Sequence, residues 1–424
     1  MSLPEPAAKK KRIVIIGGGF AGTKLAQRLD SNLFQLVLLD KNNYRQFQPL
    51  IYQVASSGLE PSAISFPFRR AFRKKKDFHF RMAEVIRIIP EENRLICNIG
   101  SIDYDYLVIA GGTDTNYFGI ENIKKNAMPM KTVSEALGLR NTILTHFEKA
   151  LLAETDEDRQ TLLNIVVVGG GPTGVEISGA LAEMKRYILP KDYPEIDFEL
   201  MQIYLFEGAD KLLGSMSQES SDKSSDFLRQ LGVKIYLNSL VKDYVDDKVI
   251  LADGKEIRTK TLIWSGGVIA NAPEGINPET LARGKRIKVN SFNRVEIYDN
   301  IFAVGDVCFQ TEENYPDGHP QVAQVAIQQA KLLAENFPKI VKGEKPTPFS
   351  YKDKGSMATI GRNKAVVDLK NFKIQGFFAW YIWMFVHLLF IMGVKNRAFI
   401  FLDWIWSYVT YDQPLRLIIK QSGS

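Results

Sequence analysis

NIVVVGGGPTGVE, Asn164–Glu176, has an altered counterpart nearer the N-terminus, RIVIIGGGFAG, Arg12–Gly22. Each copy runs from a β-branched apolar stretch through G-x-G-x-x-G into a helical pattern. That order of strand, tight turn and helix turns a weak motif into a dinucleotide-binding signature. In the first copy Gly17 allows the sharp turn, Gly19 lets a pyrophosphate approach the backbone, and Gly22 lets the helix pack on the strand, while the helix N-terminus attracts the anion. Gly169, Gly171 and Gly174 take the same places in the second. The strand FQLVLLD then ends in Asp40 and the strand QIYLFE in Glu207, although YILPKDYPEIDFEL lengthens the second interval. Each carboxylate stands where an acceptor for ribose hydroxyls is expected. A carboxylate at Glu207 repels a 2′-phosphate, so NADH is expected ahead of NADPH.

Length and composition bound the rest. The 424 residues, 45% of them hydrophobic, suffice for two or three domains with cores of their own. Cys97 and Cys308 are the two cysteines and fall in no CxxC pattern. A disulfide framework and a cysteine metal site are therefore excluded, no metal is expected, and a reducing cytoplasm fits. A net charge of +6 is too small to imply nucleic acid without a basic stripe interleaved with aromatics, and membrane phosphates are as good a partner. The apolar run Ile13–Ile16 is too short for a signal-peptide core, so export is not expected.

Two dinucleotide sites in one chain suggest an electron relay, with one cofactor resident and the other leaving after each turnover. NIFAVGDV, Asn300–Val307, is a strand ending in Gly305 and Asp306. It resembles the second FAD signature of the two-dinucleotide flavoprotein reductases, in which a carboxylate meets a polyol chain. YDYLVIAGG, Tyr104–Gly112, resembles the strand-and-glycine crossing of the same superfamily and adds Ala110 to the cofactor set. The expected fold is α/β, with two Rossmann-like dinucleotide-binding domains, for FAD and NADH, and a C-terminal membrane-associating helical region. The FAD-binding domain falls in 1–125 and 275–345, the NADH-binding domain in 126–274 and the C-terminal region in 346–424. The absence of a redox CxxxxC argues against a disulfide reductase, and Cys97 and Cys308 form no sulfur-trapping arrangement, which argues against a sulfide-oxidising quinone reductase. Cys308 reads as a small buried filler.

PQVAQVAIQQAKLLAENF reads as a helix with Pro320 in its first turn, Gln321, Gln324, Gln328 and Lys331 on one stripe, and Val322, Val325 and Leu332 or Leu333 opposite. Its positive end, soon after the glycine–aspartate turn, would favour an anionic reduced flavin. Glutamine amides donate to a quinone carbonyl without setting a charge in an apolar tunnel. Ala323–Gln328 matches A-Q-x-A-x-Q, and together with GGGPTGVE at Gly169–Glu176, FQPLIYQVA at Phe47–Ala55 and GFFAWYIWMFVHLLFIMGVKNR it resembles the type II NADH dehydrogenases, single-subunit, non-pumping NADH:quinone oxidoreductases. The resemblance covers nearly the whole chain, although GHPQV before the glutamine motif is less proline-rich than the family pattern. It implies a membrane quinone as acceptor, with FAD as cofactor and NADH as substrate; no flavinylation pattern is apparent, so the FAD is expected to be non-covalent. It makes Gln324 and Gln328 quinone-site residues and Glu176 the acid near the nicotinamide. It also sets FQPLIYQVA, with Gln53, close to FAD, and lines the quinone approach with SMATIG, Ser356–Gly361. A soluble ferredoxin or rubredoxin reductase is the second enzyme reading, and it leaves the aromatic C-terminus without a role. A redox-responsive interaction protein is the reading from another class; quinone-stimulated NADH oxidation separates all three.

Phe377–Gly393 is uncharged, with His387 its imidazole and Trp380, Tyr381 and Trp383 crowding one end. As one helix it spans about 26 Å, short of the roughly 30 Å hydrocarbon core, so a full crossing is strained. AFIFLDWIWSYVTYD sets Asp403, Ser407 and Thr410 on a stripe continuing back to Asn396, the pattern of a helix lying in an interface. Lys395, Arg397, Arg416 and Lys420 are placed to reach an anionic lipid surface. A buried core or dimer interface is the competing reading of this tail. The family resemblance implies both attachment and a homodimer, and a peripheral, monotopic protein on the cytoplasmic face of the membrane. RRAFRKKK, Arg69–Lys76, reads as a solvated helix face.

Overall fold

The computed structural model describes residues 4–6, 10–413 and 415–419; Lys420 lies outside them. Contacts group the chain into two compact units, one of 1–45, 66–114 and 268–353, the other of 46–65, 115–267 and 354–424. The helices that matter below are, in chain order, α1 (Phe20–Arg28), α2 (Ile51–Ala55), α3 (Val133–Leu151), α4 (Pro172–Glu183), α5 (Gln218–Gln230), α6 (Ala323–Val341), α7 (Phe377–Phe390) and α8 (Val394–Thr410). Residues 46–65, which the sequence reading set in the first region, and 354–424, which it set apart, group here with 115–267. The reason is packing: α2 lies on α3 and α4, and the strand Ser356–Gly361 lies along α4.

The first unit is built on a parallel sheet in the order Ile301–Ala303, Tyr106–Ile109, Lys11–Ile16, Phe34–Asp40, Phe78–Met82. Its strands are apolar on both faces, as a parallel sheet covered on both sides requires. The two-residue side-chain period divides them between two cores. Ile13, Ile15, Leu36 and Leu38 pack with Leu25 of α1 and Ala330, Leu333 and Phe337 of α6, while Val14, Val37 and Leu39 pack on the other side with Ile88, Leu95 and Ile102 of an antiparallel hairpin sheet.

The second unit repeats the arrangement: Met128–Pro129, Thr261–Trp264, Ile165–Val168, Ile203–Phe206, Val233–Tyr236, again all parallel. In both sheets the strand entering the glycine turn is central and the strand ending in the acidic residue lies beside it. This unit adds an antiparallel sheet of Ser356–Gly361, Lys364–Asp368 and Lys373–Gln375, followed by α7 and α8. The apolar run expected to reach Gly393 as one helix stops at Phe390, so α7 is about 21 Å long. Gly393, at φ 89°, turns the chain into α8. Among the described residues no helix is long and apolar enough to cross a membrane. Trp383, His387, Ile400 and Trp404 face inward, whereas Phe378, Phe385, Leu402, Trp406 and Val409 are exposed.

Candidate functional site

The two glycine turns are built alike. Gly17 and Gly169 have φ of 95° and 105°, in the left-handed region that a side chain resists. A Cβ on Gly17 would collide with the Ala110 carbonyl, and one on Gly169 with that of Ser265. A Cβ on Gly22 or Gly174 would strike the carbonyl oxygen of the first glycine in its own turn. At Gly19 and Gly171 a Cβ would meet nothing. Those two open positions are the N-caps of α1 and α4, and neither receives a side-chain cap, which leaves first-turn N–H groups for an anion. Asp40 accepts a hydrogen bond from the Gly18 N–H at 2.6 Å and Glu207 from the Gly170 N–H at 2.5 Å. Each acidic residue thus braces its own glycine loop. The cradles fit the pyrophosphate of a dinucleotide.

The glycine–aspartate turn lies at the end of Ile301–Ala303, with Gly305 at φ 77° and its N–H donated to Gln329 Oε1 at 2.7 Å. Gln329 Nε2 in turn donates to Gln310 Oε1 at 2.9 Å, so this fully buried amide holds the segment that presents Asp306. Cys308 is buried beside it, and burial pushes its thiol up to about 12, far from reactive at neutral pH. Helix α6 begins at Ala323 rather than in the turn of Pro320. Val322 is extended, and Gln321 is held back by donating to the Asp306 carbonyl. The expected stripe is engaged: Gln324 donates to Asp353, and Gln328 exchanges two hydrogen bonds with the Lys352 backbone.

Within the second unit, Glu176, Ala180 and Glu183 of α4, at spacings of four and three, line one cleft of about 900 Å³. Its other walls are Tyr52 and Gln53 of α2, Thr359–Arg362, and the aromatic side chains Trp380, Trp383, Trp404, Tyr408 and Tyr411. A second cavity of about 380 Å³, lined by Gln48, Ile51, Met130, Lys131 and Thr173, shares Tyr52 and Glu176 with the first. Glu176 is 8% exposed. Burial raises its pKa to about 8, opposed by the Thr359 N–H and the Trp383 indole, so near neutrality the acid holds its proton. Glu183 is raised too, by burial, against a 2.6 Å hydrogen bond from the Arg362 N–H. The Arg362 guanidinium lies over the rings of Tyr408 and Tyr411, 4.0 and 3.7 Å from their centres. Where α4 ends, the chain forms a π-helical turn, Met184–Ile188, which brings Tyr187 and Ile188 into the wall.

SMATIG therefore lines a cleft with Glu176, and Gln53 joins it. Two of the cations expected at a lipid surface are occupied elsewhere: Arg397 closes the end of α7 by donating to the Leu389 and Ile391 carbonyls, and Arg416 pairs with Asp192 and Asp412. The sequence reading missed Glu183, Gln329, Arg362, Trp404 and the tyrosines. For Glu183 a signal existed, since it stands seven residues after Glu176 on the same helix face.

Two dinucleotide folds with a glycine–aspartate turn define a pyridine-nucleotide oxidoreductase. The chain matches the pyridine nucleotide-disulphide oxidoreductase family over residues 11–330 and the NDH2 C-terminal domain over 354–410. It is 32% identical to a type II NADH:quinone oxidoreductase of Mycobacterium tuberculosis over 99% of this chain and 93% of that one. Its identity to the type II NADH:quinone oxidoreductase of Haemophilus influenzae is 28%, over 87% and 90% of the two chains. Among solved structures, NDH2 from Plasmodium falciparum in complex with NADH shares the fold at a TM-score of 0.88, with 24% identity and coverage of 97% and 100%. The chain belongs to the type II NADH:quinone oxidoreductase family. It is an oxidoreductase that passes electrons from NADH to a quinone, and the ferredoxin or rubredoxin alternative is set aside.

Proposed function

We propose that the protein oxidises NADH through a non-covalently held FAD and reduces a membrane quinone from a peripheral position, without moving protons across the bilayer. The first unit's turn, with Gly17, Gly19, Gly22, Asp40, Ala110, Gly305 and Asp306, would hold FAD; Gly169, Gly171, Gly174 and Glu207 would hold NADH, and Gln53 stays among the cofactor-binding residues that the family resemblance implies. When bound, the flavin supplies hydride acceptance from the nicotinamide and electron delivery to the quinone. The observation that carries this reading is Glu176: a buried acid that holds its proton near neutrality and opens on two cavities, the larger walled by aromatic rings suited to an apolar acceptor. Glu176 is assigned as the acid of the nicotinamide step, and Gln324 and Gln328 of α6 as quinone-site residues, as the family resemblance implies.

The exposed apolar side chains of α7 and α8 support attachment to a membrane surface, with Lys395 over the Phe399 ring at its edge; the cytoplasmic face and a homodimer through the same C-terminal region complete the proposal. Adding a short-chain quinone to purified protein should accelerate NADH oxidation many-fold, and a rate indifferent to quinone rejects the reading. Phe385→Glu combined with Trp406→Glu should abolish sedimentation with anionic vesicles; unchanged sedimentation moves the attachment elsewhere.

A further inference from the structure

Tyr52 is the one residue of α2 that lines both cavities, and its hydroxyl is aimed by a chain of hydrogen bonds that starts on α8. The Trp404 Nε1–H donates to Gln53 Oε1 at 2.8 Å. An indole nitrogen can only donate, so the Gln53 oxygen must face Trp404 and the amide nitrogen must face the other way. That nitrogen, Gln53 Nε2, donates to Tyr52 Oη at 2.8 Å. The phenolic oxygen is thereby committed as an acceptor in this bond, and its own hydrogen must point elsewhere. Among the described residues it has no protein acceptor within hydrogen-bond range. Tyr52 is nevertheless almost completely buried, where an unmatched O–H is costly.

We propose that Tyr52 donates its hydroxyl hydrogen to a carbonyl oxygen of the quinone bound in the aromatic cleft, and that Gln53 and Trp404 are positioning residues that aim it. This rests on the reading of that cleft as the acceptor site. A quinone oxygen gains negative charge as electrons arrive, so a donor fixed in advance favours the reduced species over the oxidised one. Tyr52 gives a hydrogen bond and keeps its proton: burial, then the nearby carboxyls of Glu176 and Glu183, hold its pKa well above the ordinary phenol value. Trp404 packs on Trp383 and lies on the inner side of the helix whose outer side exposes Trp406 and Val409. The helix offered to lipid thus also sets the direction of the donor.

The test is steady-state and stopped-flow kinetics on the FAD-loaded full chain with a short-chain quinone. Tyr52→Phe should raise the quinone KM or lower kcat/KM by about 5- to 10-fold, the effect of one lost hydrogen bond, and should change the rate of flavin reduction by NADH by less than that. Trp404→Phe, which keeps a ring but loses the N–H, should give a smaller change of about 2- to 5-fold, because the freed Gln53 amide can turn its oxygen to Tyr52 and take that hydrogen. The double variant should be no worse than Tyr52→Phe alone, since tryptophan acts through tyrosine. Unchanged quinone kinetics in Tyr52→Phe, or fully additive effects in the double variant, would overturn the proposal. Met384→Trp, which fills the cleft, separates the two levels. If it blocks quinone reduction while Tyr52→Phe does nothing, the tyrosine's role alone is wrong; if it too does nothing, the cleft is not the acceptor site and both fall. Flavin content and Tm equal to the parent's show that each variant folds.

Discussion

The two glycine turns share their positive-φ first glycine, their open N-cap glycine and their acidic brace, yet the helices that leave them meet different fates. Seven residues after Gly17 stands Lys24, partly exposed on a helix that packs against α6; seven after Gly169 stands Glu176, buried between two cavities. The divergence comes from what lies on top. In α4 a Cβ at Gly179 would collide with the Ile360 carbonyl, so the strand Ser356–Gly361 comes down onto the helix backbone and closes over Glu176 and Glu183. The matching position of α1 is Gln27, exposed and uncovered. One turn leads into a helix that stays uncovered on this face. Its copy leads into one wall of a cleft because a later segment of chain was allowed to sit close.

That contrast breaks most directly at Gly179. Gly179→Val should cost more than about 3 kcal/mol in urea unfolding, since the obstacle is main chain and cannot step aside, whereas Gln27→Val in α1 should cost under about 1 kcal/mol. A valine variant as stable as its parent would mean that the strand does not press on α4 as described.

Next in size is the pH dependence contributed by Glu176. Its folded pKa, about 8, lies above the 4.5 of a freely solvated carboxyl, so its burial carries no penalty in acid and destabilises progressively as pH climbs between those values. Glu176→Gln should therefore match the parent's stability near pH 4 and exceed it by on the order of 4 kcal/mol at pH 9. Lys24→Gln should show no such acid-to-base crossover over that range. A flat difference for Glu176→Gln would place the carboxyl in water instead.

The smallest expected effects come from the shared feature. Asp40→Asn and Glu207→Gln each weaken a charge-assisted hydrogen bond to a glycine-loop N–H, worth about 1–2 kcal/mol. Asp40→Asn should speed flavin loss on dialysis, and Glu207→Gln should raise the KM for NADH while narrowing its advantage over NADPH. Were the two phenotypes exchanged, the cofactors would have to be exchanged between the units.

Much of this was legible because it is local. Glycine at positive φ, a collision five residues away in the same turn, and an acidic residue at the end of the next strand are all constraints within a few dozen residues, and they write a recognisable spacing. The glutamines of α6 show where that legibility stops. Gln324 and Gln328 stand out as a polar stripe, yet Gln329, one position on, is the amide that secures the Gly305 turn, because the inward face of the helix is Val325, Ala326, Gln329, Ala330, Leu333 and Phe337. A glutamine in that apolar series is visible once the inward face is known. Likewise Asn396 and Trp404 belong to the packed side of α8; Asn396 donates to the Ser62 and Ala63 carbonyls, a contact no helical wheel contains.

From the amino-acid order alone came the duplicated dinucleotide fold, the family resemblance and the apolar C-terminal helices, since each rests on short-range backbone rules or on repeated motifs. Which side chains enclose the cleft was decided in three dimensions. Tyr52, Glu176, Thr359, Trp383 and Trp404 come from five separated stretches of chain, and burial and hydrogen-bond direction, which give them their chemistry, exist only once those stretches have met.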